Sequence, residues 1–115
     1  MTIPVNSVWI NTPSTIYGAV SPISLSAGLR KVACFDNISA ALEYSGNTPG
    51  NTISLVIDWY DHNQDLLFSE TLLSDTVAAT NLSTVVSIKG AFASLSITGS
   101  INPTFNAATQ AILKQ

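Results

Sequence analysis

The residues best suited to chemistry stand together in Asp61-His62-Asn63-Gln64-Asp65, with Asp58 before them and Glu70 after. Oxygen-bearing side chains at the first, third and fifth places of that run match the opening of a calcium loop. An EF-hand also needs Gly at the sixth place and a bidentate acid at the twelfth, and here those are Leu66 and Leu72. A looser calcium site would draw on Asp58, Asp61 and Asp65; the plainer reading is that Asp and Asn are good turn residues. His62 is the sole histidine and Cys34 the sole cysteine, which excludes a His-rich or Cys-rich zinc site. A Ser–His–Asp triad would have to use His62, and no Gly-x-Ser-x-Gly elbow exists to present its serine. Asp58 and Glu70 are placed symmetrically about the turn, with Asn63-Gln64 near its tip, which would set them across a hairpin as paired carboxylates. With few charges around them they read as surface solubilisers. The turn-rich run SGNTPGN (45–51) has neither the Lys nor the spacing of a phosphate loop. The chain is therefore read as a non-enzyme, and no cofactor is expected.

Two strands must carry these groups. Ile53, Leu55, Ile57 and Trp59 alternate with Ser54, Val56, Asp58 and Tyr60, one set for each face of a strand. The polar run 61–65 turns the chain, and Leu66-Leu67-Phe68 begins the return. Other strand patterns are Leu29–Phe35, Thr84–Ile88, Ala91–Thr98 and Thr104–Leu113, the last with room for a helical turn at Ala107-Ala108. Residues 38–44 alternate as a strand but contain the helix formers Ala40, Ala41, Leu42 and Glu43, and a strand is favoured. Residues 11–28, with two Pro and two Gly, read as loop with short strands at Ile16-Tyr17 and Ile23–Leu25. The expected fold is all-β: a two-sheet antiparallel β-sandwich, jelly-roll or immunoglobulin-like, of about eight short strands. Residues 1–13 form an N-terminal arm or edge strand, and 14–115 the sandwich domain.

Composition narrows the function. Charged residues are 10% of the 115, against roughly 25% in ordinary soluble domains. Ser, Thr, Asn and Gln must then make the surface, which suits a protein largely covered by neighbours or one that works outside the cytosol. Four bases against seven acids, net charge −3, leave no basic patch for nucleic acid or an anionic membrane. One cysteine excludes an intrachain disulfide; Cys34, in the apolar run Val32–Phe35, is expected to be buried and inert. The start at Met1 carries no signal-peptide pattern, so synthesis in a cytoplasm without export is expected. Trp9, Tyr17, Tyr44, Tyr60 and Phe92 would offer stacking surfaces to a sugar if they shared one face.

Two segments resemble a known group. The run Ile53–Leu67, with Trp59-Tyr60-Asp61 and a polar turn before Leu66-Leu67, is similar to a strand pair in small β-sandwich virion proteins of tailed phages. The run Val85–Thr98, with Lys89-Gly90 before Ala91–Thr98, is similar to their late strands. The resemblance implies a capsid-decoration, head-fibre or tail-accessory role in the virion. The implied partners are other virion or shell proteins and further copies of the chain. Val5, Trp9, Ile10, Tyr60, His62 and Asn63 are the expected partner contacts. The alternative is a carbohydrate- or receptor-binding β-sandwich using Tyr60.

Overall fold

Ile53, Leu55, Ile57 and Trp59 are fully buried, while Ser54, Val56, Asp58 and Tyr60 between them are half-buried. The alternation thus does what a period of two dictates: one face closes a core and the other meets solvent. The computed structural model describes residues 6–18, 23–24, 29–99 and 104–115. Its strands are β1 (Asn6–Gly18), β2 (Ile23–Ser24), β3 (Arg30–Lys31), β4 (Asn37–Ser45), β5 (Ile53–Tyr60), β6 (Leu66–Asp75), β7 (Thr80–Ser87), β8 (Phe92–Gly99) and β9 (Thr104–Lys114). No helix occurs among the described residues.

The strands form two antiparallel sheets, ordered β1-β9-β4-β7 and β2-β8-β5-β6, with β3 also on β8. The pairings nest: β5 with β6, β4 with β7, β2 and β3 with β8, β1 with β9. The chain is folded in half at the β5–β6 hairpin and rolled up, so the sandwich is a jelly roll rather than an immunoglobulin-like one. The inner faces meet in one core. The first sheet supplies small residues, Ala40, Ala107 and Ala111, beside Ile38, Leu42 and Leu113; the second supplies Trp59, Ile57, Leu55, Leu95 and Ile97. Each large side chain so buried contributes about 1.5–3 kcal/mol relative to exposure.

Residues 38–44 are strand: Ile38, Ala40, Leu42 and Tyr44 are buried in alternation, a pattern that a helical turn would scatter. Other expectations are corrected. Residues 11–15, read as loop, continue β1 into the expected short strand at Ile16-Tyr17; Pro13 is tolerated because β1 is an edge strand and a bulge falls between Thr12 and Thr15. The expected strand over Leu29–Phe35 shrinks to Arg30–Lys31, because the Phe35 amide turns back to the Val32 carbonyl (3.0 Å). No helical turn forms at Ala107-Ala108, since both pair with β4.

Two loops at one end of the sandwich are locked together by a buried amide. Asn47 Nδ2 donates to the Asn51 carbonyl (2.8 Å) and to the Val77 carbonyl (3.1 Å), and Asn51 Nδ2 donates to Asn47 Oδ1 (2.7 Å). At the other end, Gly90 packs against the β5 backbone. A Cβ there would lie 2.8 Å from the Tyr60 carbonyl oxygen, which accepts from the Ala91 amide at 2.8 Å.

Candidate functional site

Asp58 and Glu70 do not face one another. Leu67 is an extra residue on β6, so Asp58 sits opposite Ser69, and Glu70 opposite Ile57. That one-residue slip sends the two acids to opposite faces of the sheet. Asp58 accepts from the Ser69 hydroxyl on the outer face (2.6 Å). Glu70 turns toward the core side, accepting from the Trp59 indole N–H (3.1 Å) and from Lys89 Nζ (2.6 Å). The Lys89 hydrogen bond holds the Glu70 carboxyl below its usual range, against desolvation, which pushes it up. Since Lys89 follows β7, this bridge closes one long side of the sandwich. On the other, Arg30 Nη2 donates to Ser7 Oγ (3.1 Å), joining β3 to β1. A hydrolytic pair is thus replaced by a structural clasp.

The hairpin tip is used up by its own turn. Asp61 Oδ1 accepts from the Asn63 and Asp65 amides at 2.9 and 3.0 Å, and Gln64 takes a left-handed φ of 66°. Asp58, Asp61 and Asp65 do not gather: no group of three metal-ligating side chains exists among the described residues. His62 and Asn63 are exposed at the tip.

The outer face of the second sheet carries an aromatic row. Phe92 pairs with Tyr60, flanked by Lys31 on β3 and Leu66 on β6. The next outward row is Ser94, Asp58 and Ser69. Both rings are half-buried. Tyr44, by contrast, is buried in the core; burial, then the Asp75 carboxylate, holds its phenol above the ordinary range.

Beside this row lies the largest run of exposed apolar side chains among the described residues. Leu66, Leu67 and Phe68 are 57%, 51% and 44% exposed, on an edge strand paired only with β5. The sequence pattern registers these three as the start of the return strand, with no statement of which side they face. The signal that they are not all buried is local: three consecutive large apolar residues cannot all point inward from a strand.

Of the N-terminal contact residues, Val5 lies outside the described residues. Ile10 is buried in this chain's own core, so it is not on offer to a partner, and Trp9, an extra residue between Val8 and Ile10, packs against that core. Val8 instead stands 62% exposed at the edge of the first sheet. Across that sheet's outer face its row continues through Ile112 and Ser39 to Val85, also 62% exposed. Cys34 is exposed rather than buried, because the chain turns at Ala33-Cys34 instead of continuing as strand.

No family model and no curated protein matches the chain. Solved structures do. The chain is similar to the Gx strain of infectious bursal disease virus (TM-score 0.65, 13% identity, 96% of this chain and 32% of that one). It is similar also to that virus's VP2 subviral particle (TM-score 0.60, 11% identity, 97% and 32%). A third likeness is to the Clostridium thermocellum xylanase 10B CBM22-1–GH10 modules complexed with xylohexaose (TM-score 0.62, 12% identity, 97% and 26%). These likenesses establish the fold. The chain spans about a third or less of the length of each solved chain it matches.

Proposed function

We propose that the chain is a non-enzymatic structural protein of a virion, one that decorates or reinforces a capsid or tail surface through protein–protein contacts. The observation that carries the reading is the exposed apolar run Leu66–Phe68 on an edge strand, in a chain of which only 10% is charged. Large apolar side chains left exposed along an open strand edge mark a contact surface. Burial of that surface and backbone pairing at the edge would be the mechanism. The likeness to chains that build infectious bursal disease virus particles supports it. The resemblance of Ile53–Leu67 and Val85–Thr98 to tailed-phage virion proteins names the finer class, a bacteriophage accessory protein made in the host cytoplasm. Immunogold electron microscopy of phage particles from the producing culture, with antibody against this chain, is the test. Gold on particle surfaces is expected; gold confined to the particle-free fraction would refute the proposal.

The aromatic row favours a second reading, carbohydrate binding. Tyr60 and Phe92 offer ring faces, and Ser94, Asp58 and Ser69 offer hydrogen-bonding groups one row away. The likeness to the CBM22-1–GH10 structure with xylohexaose lends it support. A glycan array with Tyr60→Ala as control separates the two: saturable binding lost in the variant would make sugar recognition the function.

A further inference from the structure

We infer that the outer face of the second sheet takes a neutral, extended glycan laid across β8, β5 and β6, its sugar rings on Phe92, Tyr60 and Leu66 and its hydroxyls donating to Asp58 and Ser69. This rests on the carbohydrate reading above and names the class of sugar, its direction on the sheet and the groups that select it.

Register builds the apolar half of the site. Phe92, Tyr60 and Leu66 stand side by side on three neighbouring strands, with Lys31 on β3 at the end of the row. Neighbouring strands lie about 4.8 Å apart, close to the length of one sugar unit in an extended chain. The row therefore offers one apolar station for each ring and runs across the strands, not along them. Aromatic side chains supply such contact at little entropic cost.

The next row decides what the ligand must bring. Ser69 gives its single hydroxyl proton to Asp58 (2.6 Å), so its oxygen is left as an acceptor. A carboxylate has about four acceptor sites, and Ser69 fills one of them. The pair thus presents acceptors, and a ligand that meets it must donate. A sugar ring does so from its hydroxyl edge while its C–H face rests on the apolar row. The division of the ligand into face and edge is the division between the two rows.

Charge sets the other occupants aside. Asp58, in the middle of the face, opposes a uronate or sulfated chain, and Lys31 beside Phe92 opposes an organic cation. One lysine is too few for a phosphate backbone. The remaining outward rows of these strands, Ser96-Val56-Thr71 and Thr98-Ser54-Ser74, carry no charge and give a protein partner no apolar core. What fits is uncharged, apolar on one side and rich in donors on the other.

The test begins with a glycan array read for charge, on which neutral chains should be retained and acidic ones should not. Titration calorimetry of the whole chain follows, with β-1,4-linked glucose, mannose and xylose oligosaccharides of increasing length and with oligogalacturonate as the acidic probe. Affinity for at least one neutral series is expected to rise with length and to level off once the stations of the row are filled. Tyr60→Ala is expected to weaken it roughly tenfold or more, a shift of the size a 1.4 kcal/mol change produces. Asp58→Asn keeps an acceptor for Ser69 but puts an amide donor where the sugar hydroxyl arrives; it should weaken neutral chains by a similar factor and narrow their lead over the acidic probe. Amide chemical-shift mapping of the wild-type chain makes the result independent of how the variants fold: a neutral chain should move Phe92, Tyr60 and Leu66 and leave Asn81 and Ser83 of the first sheet in place. An array that retains acidic glycans alone, neutral probes that all fail to bind, or neutral binding lost in Tyr60→Ala yet untouched by Asp58→Asn would each overturn the inference. The carbohydrate reading survives these so long as the array retains a glycan that Tyr60→Ala loses. A blank array removes both.

Discussion

Removing the Glu70 carboxylate tests the clasp between the two sheets. Glu70 has two partners of very different burial: the indole N–H of Trp59, which is fully buried, and the ammonium of Lys89, which is 38% exposed. Glu70→Ala leaves the Trp59 N–H without an acceptor, a cost of about 1–3 kcal/mol for a buried donor. Loss of the Lys89 pair adds about 0–1 kcal/mol, because water screens a partly exposed ion pair. The total, about 1–4 kcal/mol, corresponds to a melting temperature lower by roughly 4–16 °C in a domain of this size. Lys89→Ala removes only the ion pair and should cost about 1 kcal/mol or less. Glu70→Gln keeps an oxygen for the indole and should fall between them. Thermal melts by circular dichroism at pH 7 should place Glu70→Ala lowest, Glu70→Gln above it and Lys89→Ala nearest to wild type. The pH dependence follows in sign: Glu70 has a folded pKa below its unfolded one, so its stabilisation is present above the unfolded value and is lost as pH falls through the folded value. Protonated Glu70 still offers an oxygen to the indole, so in acid wild type should fall toward Glu70→Gln, and its gap from Glu70→Ala should narrow without closing. A Lys89→Ala variant as unstable as Glu70→Ala, or a Glu70→Ala variant as stable as wild type at pH 7, would refute the assignment of the cost to the indole bond.

Asn47→Ala, which removes three hydrogen bonds tying the 46–51 loop to itself and to the Val77 loop, should cost about 2–4 kcal/mol in urea unfolding, with the strand signal in circular dichroism retained. Gly90→Ala should cost about 1–3 kcal/mol, because its Cβ would stand 2.8 Å from the Tyr60 carbonyl oxygen and force the Tyr60–Phe92 row apart; tyrosine fluorescence anisotropy reads the change. Cys34, exposed in its turn, should react with a thiol reagent in the native protein to one equivalent, and a stoichiometry near zero before denaturation would count against that exposure.

The legible parts were those where alternation met two-sided burial. Ile53–Trp59 and Ala93–Ile97 put every second residue in the core, and their period alone identifies them. Ile38–Tyr44 was harder, since Ala40-Ala41-Leu42 suits a helix, and the tertiary setting decided it. Pro13 hid the middle of β1, because only an edge position and a bulge make a strand proline acceptable. The Asp58–Glu70 pairing failed by a single residue: counting from the turn cannot foresee that Leu67 is extra. Leu66–Phe68 were recognised as strand but not as surface, since whether a strand lies at an edge depends on partners that periodicity does not name. The Asn47–Asn51 lock reads in sequence as an ordinary turn.

The nesting of strand pairs imposes an order in time. β9 lies between β1 and β4, so the first sheet has no middle until residues 104–114 are in place. The β5–β6 hairpin needs only its own local loop and can zip early, and β8 can join it next. β1 must then wait for a partner nearly the whole chain away, a closure whose entropy cost grows only with the logarithm of loop length but which comes last. At translation rates of about 5–20 residues per second, the sixty or so residues from Ser45 to Thr104 keep β4 without β9 for roughly 3–12 s. During that interval two weakly charged strands present open edges. A ribosome that stalls anywhere before residue 104 would therefore hold a half-built sandwich whose most exposed feature is an invitation to pair, and the same property that would let finished chains meet their partners would make unfinished ones aggregate.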